Sequence, residues 1–187
     1  MLAFTSTEAA ALTGLDERAV RKDVDHGILD AGAPPRFGEA ALVYFRACAA
    51  FAFDLAAQDR RRLYADITDA LARRVARLDL GPGWTLDVAA LATEMAERVA
   101  AFVTWRGRLV RRDDVLGGEP VFPGTRLSVR HVGEMLARGA PSVEVREDYP
   151  DLTDLDLDFA RLFATAYPRI GRPRGRRGTA CSVHVKL

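Results

Sequence analysis

Apolar positions recur at helical spacing through most of the chain, and the interruptions cut it into short helices. Residues 5–29 read TSTEAAALTGLDERAVRKDVDHGIL. Ser6 or Thr7 can cap a first helix with Glu8 in its opening turn. Ala9, Ala10 and Leu12 give it a small apolar face, and Thr13-Gly14-Leu15 breaks it. Asp16 caps a second helix with Val20 and Val24 one turn apart. His26-Gly27 ends that helix, and Ile28-Leu29 returns to the core. Two short helices joined by a glycine-containing turn form the pattern of a helix-turn-helix, and small alanines let the pair cross closely.

Downstream, Leu42, Val43, Phe45, Phe51 and Phe53 predict a long apolar helix that closes the first core. Residues 59–78 place Leu63, Ile67, Leu71 and Val75 at i, i+4 among Arg60, Arg61, Arg62, Arg73, Arg74 and Arg77. The pattern is an amphipathic helix whose arginines form a solvated face in preference to a nucleic-acid surface. Gly81-Pro82-Gly83 breaks it. A further helix over 87–103 carries Val88, Leu91, Met95, Val99 and Phe102 as core or dimer seam. Arg108-Leu109-Val110-Arg111 alternates like a strand, and turns at Gly117-Gly118 and Pro123-Gly124 flank Val121-Phe122. Ser128 caps a helix to about Arg138, Pro141-Ser142 starts a second, and Thr153 caps a third through Ala166. The fold class expected is mainly α, with a short β element.

The polar face of the second helix carries Arg18, Arg21 and Lys22 at i, i+3, i+4, where a recognition helix presents groups to base edges and phosphates. The same spacing fits a solvated helix with Glu17–Arg21 and Arg21–Asp25 ion pairs. Asp16, Glu17, Asp23 and Asp25 oppose DNA nearby, so spacing alone leaves both readings open.

Composition adds three constraints. The 187 residues suit one domain or two small ones, and 49% hydrophobic content supports a folded core. No stretch free of Lys, Arg, Asp and Glu exceeds eight residues, so neither a membrane span nor a signal peptide is expected. Cys48 reads as a small core hydrophobe and Cys181 as a free thiol. With no disulfide or metal-ligand spacing, a cytoplasmic protein is expected. Of the 27 basic residues 25 are Arg, and Asn is absent, which points to a GC-rich bacterial coding sequence. The net charge of +1 conceals a segregation. Residues 169–187 hold Arg169, Arg172, Arg174, Arg176, Arg177 and Lys186 and no acid, a +6 tail on a −5 body.

Catalysis finds no constellation. The carboxylates Asp113-Asp114 and those from Glu144 to Asp158 sit beside turns and on amphipathic faces. His26, His131 and His184 have no partner at ligand or triad spacing, and no phosphate-binding loop is present. The expectation is a protein that is not an enzyme, with no cofactor and no metal.

Two resemblances sharpen this. T-x-E-A-A-A-L-T-G-L, V-R-K-D-V-D-H-G-I-L and P-P-R-F-G-E-A-A-L-V-Y-F, over about residues 4–46, resemble the helix-turn-helix of MerR-type and excisionase-type DNA-binding domains. That resemblance implies a small wing at Ala33-Pro34-Pro35-Arg36-Phe37 and a DNA-binding set of Thr7, Arg18, Arg21, Lys22 and Arg36. Residues 106–166 resemble the domain-of-unknown-function family 433. They carry Gly117, Gly118, Pro120, Gly124, Thr125, Arg126 and Val129, then Gly139 and Asp148-Tyr149-Pro150 with Leu152-Thr153. One departure is that Asp154, Asp156 and Asp158 interrupt the last helix. This resemblance implies a homeodomain-like three-helix unit, often dimeric, and an antitoxin of VapB type that caps a PIN-like ribonuclease toxin and binds its own promoter.

The organisation that follows is a (winged) helix-turn-helix DNA-binding domain at 1–58, a helical linker or dimerisation segment at 59–104, an antitoxin-type domain at 105–168 and a flexible basic tail at 169–187. Arg169, Arg172, Arg174, Arg176 and Arg177 are the toxin-binding candidates, because guanidinium groups pair with the carboxylates of a PIN-like metal site. DNA phosphate is the competing target, and a tail that only solubilises the chain is the third reading. The expected partners are the toxin, double-stranded operator DNA and a second copy of the chain, with no membrane. The alternative is a stand-alone MerR-like transcription regulator whose C-terminal domain dimerises or senses a ligand.

Overall fold

The computed structural model describes residues 2–51, 55–111 and 116–168. Eight helices occur among them: α1 (Ser6–Thr13), α2 (Glu17–Asp25), α3 (Glu39–Ala50), α4 (Ala57–Arg73), α5 (Val88–Arg108), α6 (Val129–Ala137), α7 (Ser142–Asp148) and α8 (Asp154–Ala166). The mainly α class with a small β component is therefore present.

Helix starts follow local capping chemistry. Thr5, rather than Ser6 or Thr7, caps α1: its hydroxyl accepts Glu8 N–H at 3.2 Å while the Glu8 carboxylate accepts Thr5 N–H at 2.9 Å. A glutamate at the third helical position completes a capping box only with Thr5, which moves the start one residue upstream of Ser6. Gly14 ends α1 at φ +75°, a left-handed conformation suited to glycine. Thr153 and Asp156 form the same reciprocal box on α8. Asp154 and Asp156 thus lie in its first turn, where the helix dipole favours negative charge, and they support the helix instead of interrupting it.

Helix α3 is the central rod. Ala41, Leu42, Val43, Tyr44 and Phe45 are all buried, so the helix is enclosed on every side, by α1, α4 and α5. It ends at Ala50, with Phe51 as its cap; Phe53 lies outside the described residues.

The region after α4 departs from the expected pattern. That helix stops at Arg73, and Arg74 turns at φ 57°. Residues Arg77–Gly81 (β1) and Trp84–Asp87 (β2) pair antiparallel, with Arg77 opposite Asp87 and Leu78 opposite Leu86. Gly81-Pro82-Gly83 is the tip of this hairpin as well as the end of the helical pattern. Helix α5 then runs to Arg108, so of the expected strand at 108–111 only Val110 pairs, with Val121, which in turn bridges Ser128.

All three segments share one core. Phe102 of α5 meets Phe4 at 6.4 Å, Phe159 of α8 at 6.1 Å and Tyr167 at 6.4 Å between ring centroids. Helix α1 packs directly on α8. The apolar stripe of α5, with Val88, Met95 and Phe102 fully buried, is therefore core within the chain.

Candidate nucleic-acid interface

Ala9, Ala10 and Leu12 of α1 are buried against α2 and α3, and Val20 anchors α2 from below. Asp16 accepts Arg18 N–H at 2.7 Å and sets the start of α2. These contacts leave Arg18, Arg21 and Lys22 on the exposed side of α2, on one face. Arg21 is engaged: its Nη2 lies 2.5 Å from Glu17 Oε1. Among the described residues Arg18 and Lys22 make no ion pair, and the expected Arg21–Asp25 pair is absent.

Asp23 behaves differently from the sequence expectation. It is buried, accepts the Tyr44 hydroxyl at 2.8 Å and pairs with Arg60 of α4. It therefore contributes no negative field at the exposed face. Burial, the nearby Cys48 thiol and the hydrogen bond to Asp23 push the Tyr44 hydroxyl far above its ordinary range, so it stays a donor. Cys48 itself is pushed up to about 11, chiefly by burial. It is a packed thiol with no disulfide. Arg61 donates to the carbonyls of His26 and Gly27 at the end of α2. The arginine run of α4 is thus only partly solvated, since two of its members hold the rear of α2.

The wing expectation resolves into a turn. Asp30 Oδ1 accepts Gly32 N–H at 3.1 Å, Arg36 N–H donates to Ala31 at 2.8 Å, and Phe37 pairs with Phe4 through bonds of 3.0 and 2.9 Å. Arg36 is exposed on this turn. Thr7 is half-buried and shares a 3.1 Å contact with the Thr5 hydroxyl. The structure groups Arg18, Arg21 and Lys22; Thr7 and Arg36 lie on separate elements. The candidates Arg169, Arg172, Arg174, Arg176 and Arg177 lie outside the described residues.

In the C-terminal third, the glycine- and proline-rich motif has a structural use. Val121 exchanges bonds with Val110 at 3.0 and 3.3 Å, Val129 N–H reaches the Pro120 carbonyl at 3.1 Å, and Phe122 N–H reaches Leu127 at 3.1 Å around the 123–126 turn. Arg130 pairs with Glu119 at 3.2 Å. Residues 110–164 match the family model described as Protein of unknown function (DUF433). In this DUF433 segment Arg126 and His131 remain exposed. The third helix of its three, α8, is covered by α1 and α6 and opens on acids, so it presents no basic face to DNA.

The chain is also 31% identical over 90 residues to the Uncharacterized protein y4eO of Sinorhizobium fredii (strain NBRC 101917 / NGR234). The match covers 48% of this chain and spans about two fifths (41%) of that relative. No solved structure matches at a significant level.

Among the described residues, no group of three or more His, Cys, Asp and Glu side chains is placed to hold a metal ion. No described helix is long and apolar enough to cross a membrane.

Sequence reasoning missed two groups that shape the interface, Asp23–Arg60 and Glu8. The Glu8 carboxylate, on α1, accepts from Arg106 at 2.9 Å and from the Tyr167 hydroxyl at 2.5 Å. For Asp23, its place three residues after the buried Val20, on the same side of the helix, was the available signal.

Proposed function

We propose that the protein is a non-enzymatic, operator-binding regulator of the antitoxin type. Helix α2 enters the major groove, with Arg18 and Lys22 on phosphates or base edges and Arg36 on the flanking backbone. The basic segment 169–187 neutralises a PIN-like ribonuclease toxin by placing an arginine among its metal-binding carboxylates.

One observation carries the DNA half. Arg18 and Lys22 stand exposed on one face without an ion pair among the described residues, on a helix locked from behind by Asp23, Arg60 and Arg61. A rigid element with uncommitted cations meets the geometric need of a reader helix, because little order has to be imposed on binding. Gel shifts with the DNA upstream of the gene test it: R18A/K22A abolishes the shift, and an unchanged shift rejects it. Removing residues 169–187 tests the toxin half, since inhibition of the copurified ribonuclease by the truncated chain rejects that role.

The alternative, a regulator without a toxin, is favoured by the Glu8–Tyr167 bond, which ties the helix-turn-helix to the end of the DUF433 segment and would carry a signal between them. Copurification of the native protein with the product of the adjacent reading frame decides between the two.

A further inference from the structure

Helices α5 and α8 leave an open groove of about 550 Å³ between them. Its apolar wall is formed by Ala101 and Trp105 of α5 with Phe159 and Leu162 of α8. Leu155 stands at one edge with 69% of its surface exposed, although it sits in the first turn of a well-capped helix. Val143 of α7 is 59% exposed. Arg161 donates to Ser142 at 2.7 Å and Arg146 pairs with Asp154 at 3.3 Å, so α7 and α8 present these two apolar side chains from one joined unit. Neither has a packing role within its own chain that requires a large aliphatic group.

The charges select the occupant. Arg98, Arg161 and Asp158 line the groove, and the exposed Asp154 adjoins Leu155. Each arginine already has an acid of its own chain, Arg98 with Glu94 at 3.3 Å and Arg161 with Asp158 at 2.9 Å, so the groove carries both signs of charge. A partner segment that offers leucine flanked by carboxylates can share these arginines. The start of α8, Asp154-Leu155-Asp156-Leu157-Asp158, is such a segment, and it borders the groove itself. A surface that holds both the knob and the socket, with both signs of charge, is self-complementary under a two-fold axis.

We propose that this groove is the surface through which two copies of the chain associate. Each copy seats Leu155 in the other's α5/α8 groove, and Asp158 of each faces Arg161 of the other. Arg161 already lies 2.9 Å from its own Asp158, so the two pairs close into one four-charge network across the axis. The interface supplies the dimer that a palindromic operator requires, but it rests on neither the DNA nor the toxin reading.

Sedimentation equilibrium on the full chain tests it, with circular dichroism as the check on folding. The full chain is expected to dimerise, and L155D to weaken the dimer on the order of tenfold or more, as loss of a buried leucine anchor does. D158R and R161D each weaken self-association, and mixing the two variants restores it, because both cross-axis pairs are then opposite in sign. A full chain that stays monomeric, a dimer untouched by L155D, or a mixture no stronger than its components overturns the proposal. So does a monomer in which deletion of residues 169–187 opens Trp105 to a fluorescence quencher, since that segment would then be the occupant.

Discussion

The Tyr167 hydroxyl donates to the Glu8 carboxylate at 2.5 Å, joining groups 159 positions apart. Burial works against the Glu8 charge, but the Thr5 N–H, the Tyr167 hydroxyl and the Arg106 guanidinium outweigh it and hold the carboxyl below its ordinary 4.5. A group depressed in the folded state stabilises above its unfolded value and loses that contribution as pH falls through the folded value. We expect E8Q to lower stability near neutral pH by about 2 kcal/mol, and Y167F by about 1 kcal/mol. E8Q should also lose stability less steeply than the parent as acid is added below pH 4.5. Urea unfolding at a series of pH values measures both effects.

Asp23 and Arg21 lie two residues apart on α2 and should respond in opposite ways. D23A removes a buried carboxylate and strands Tyr44 and Arg60, at a cost of roughly 3 kcal/mol. R21A removes a guanidinium whose side chain is 65% exposed and which, among the described residues, pairs only with Glu17; its effect should stay within about 0.5 kcal/mol. Chemical denaturation of the two variants separates the structural acid from the surface pair.

If the chain binds operator DNA as proposed, the affinity should fall with salt, and the dependence should report how many cations take part. If Arg18 and Lys22 each neutralise a phosphate, R18A/K22A lowers the slope of log affinity against log salt by about 2. Fluorescence anisotropy at several salt concentrations gives the slope directly.

The contact of α6 with α8 depends on the absence of a side chain. A Cβ on Gly133 would stand 2.1 Å from the Ala160 carbonyl oxygen and 2.8 Å from Ala164 Cβ. Two backbones must separate to admit it, so G133A should cost roughly 2–3 kcal/mol and lower Tm by about 5–10 °C. Thermal unfolding followed by circular dichroism checks this.

What could be read in the sequence was what depends on neighbours three or four residues away. Asp16, Ser128 and Thr153 cap their helices as spacing indicates, because each cap closes on an N–H two or three positions downstream. The hairpin at 77–87 was also written locally, in the alternation Arg77-Leu78-Asp79-Leu80 before a Gly-Pro-Gly turn. The helical period of Leu63, Ile67 and Leu71 runs into it and masks the change. Long-range chemistry was not legible. Arg60 reads as a solvated cation until its partner Asp23, 37 positions earlier, is placed beside it. The basic face of α2 was visible from spacing; the burial of Asp23, which clears that face of one negative charge, was not.

The meeting of Phe4 and α1 with Phe102, α8 and Tyr167 also sets an order of events during synthesis. The helix pair that carries Arg18 and Lys22 is translated well before α8, which packs on α1 beside α2 and α3. While α8 is still in the ribosome, Glu8 lacks Tyr167 and the part of α1 that packs on α8 is open to water. If the helix pair reads an operator as proposed, its packing is finished only after α8 has been made, so nascent chains that lack α8 would not compete with longer ones for the same DNA.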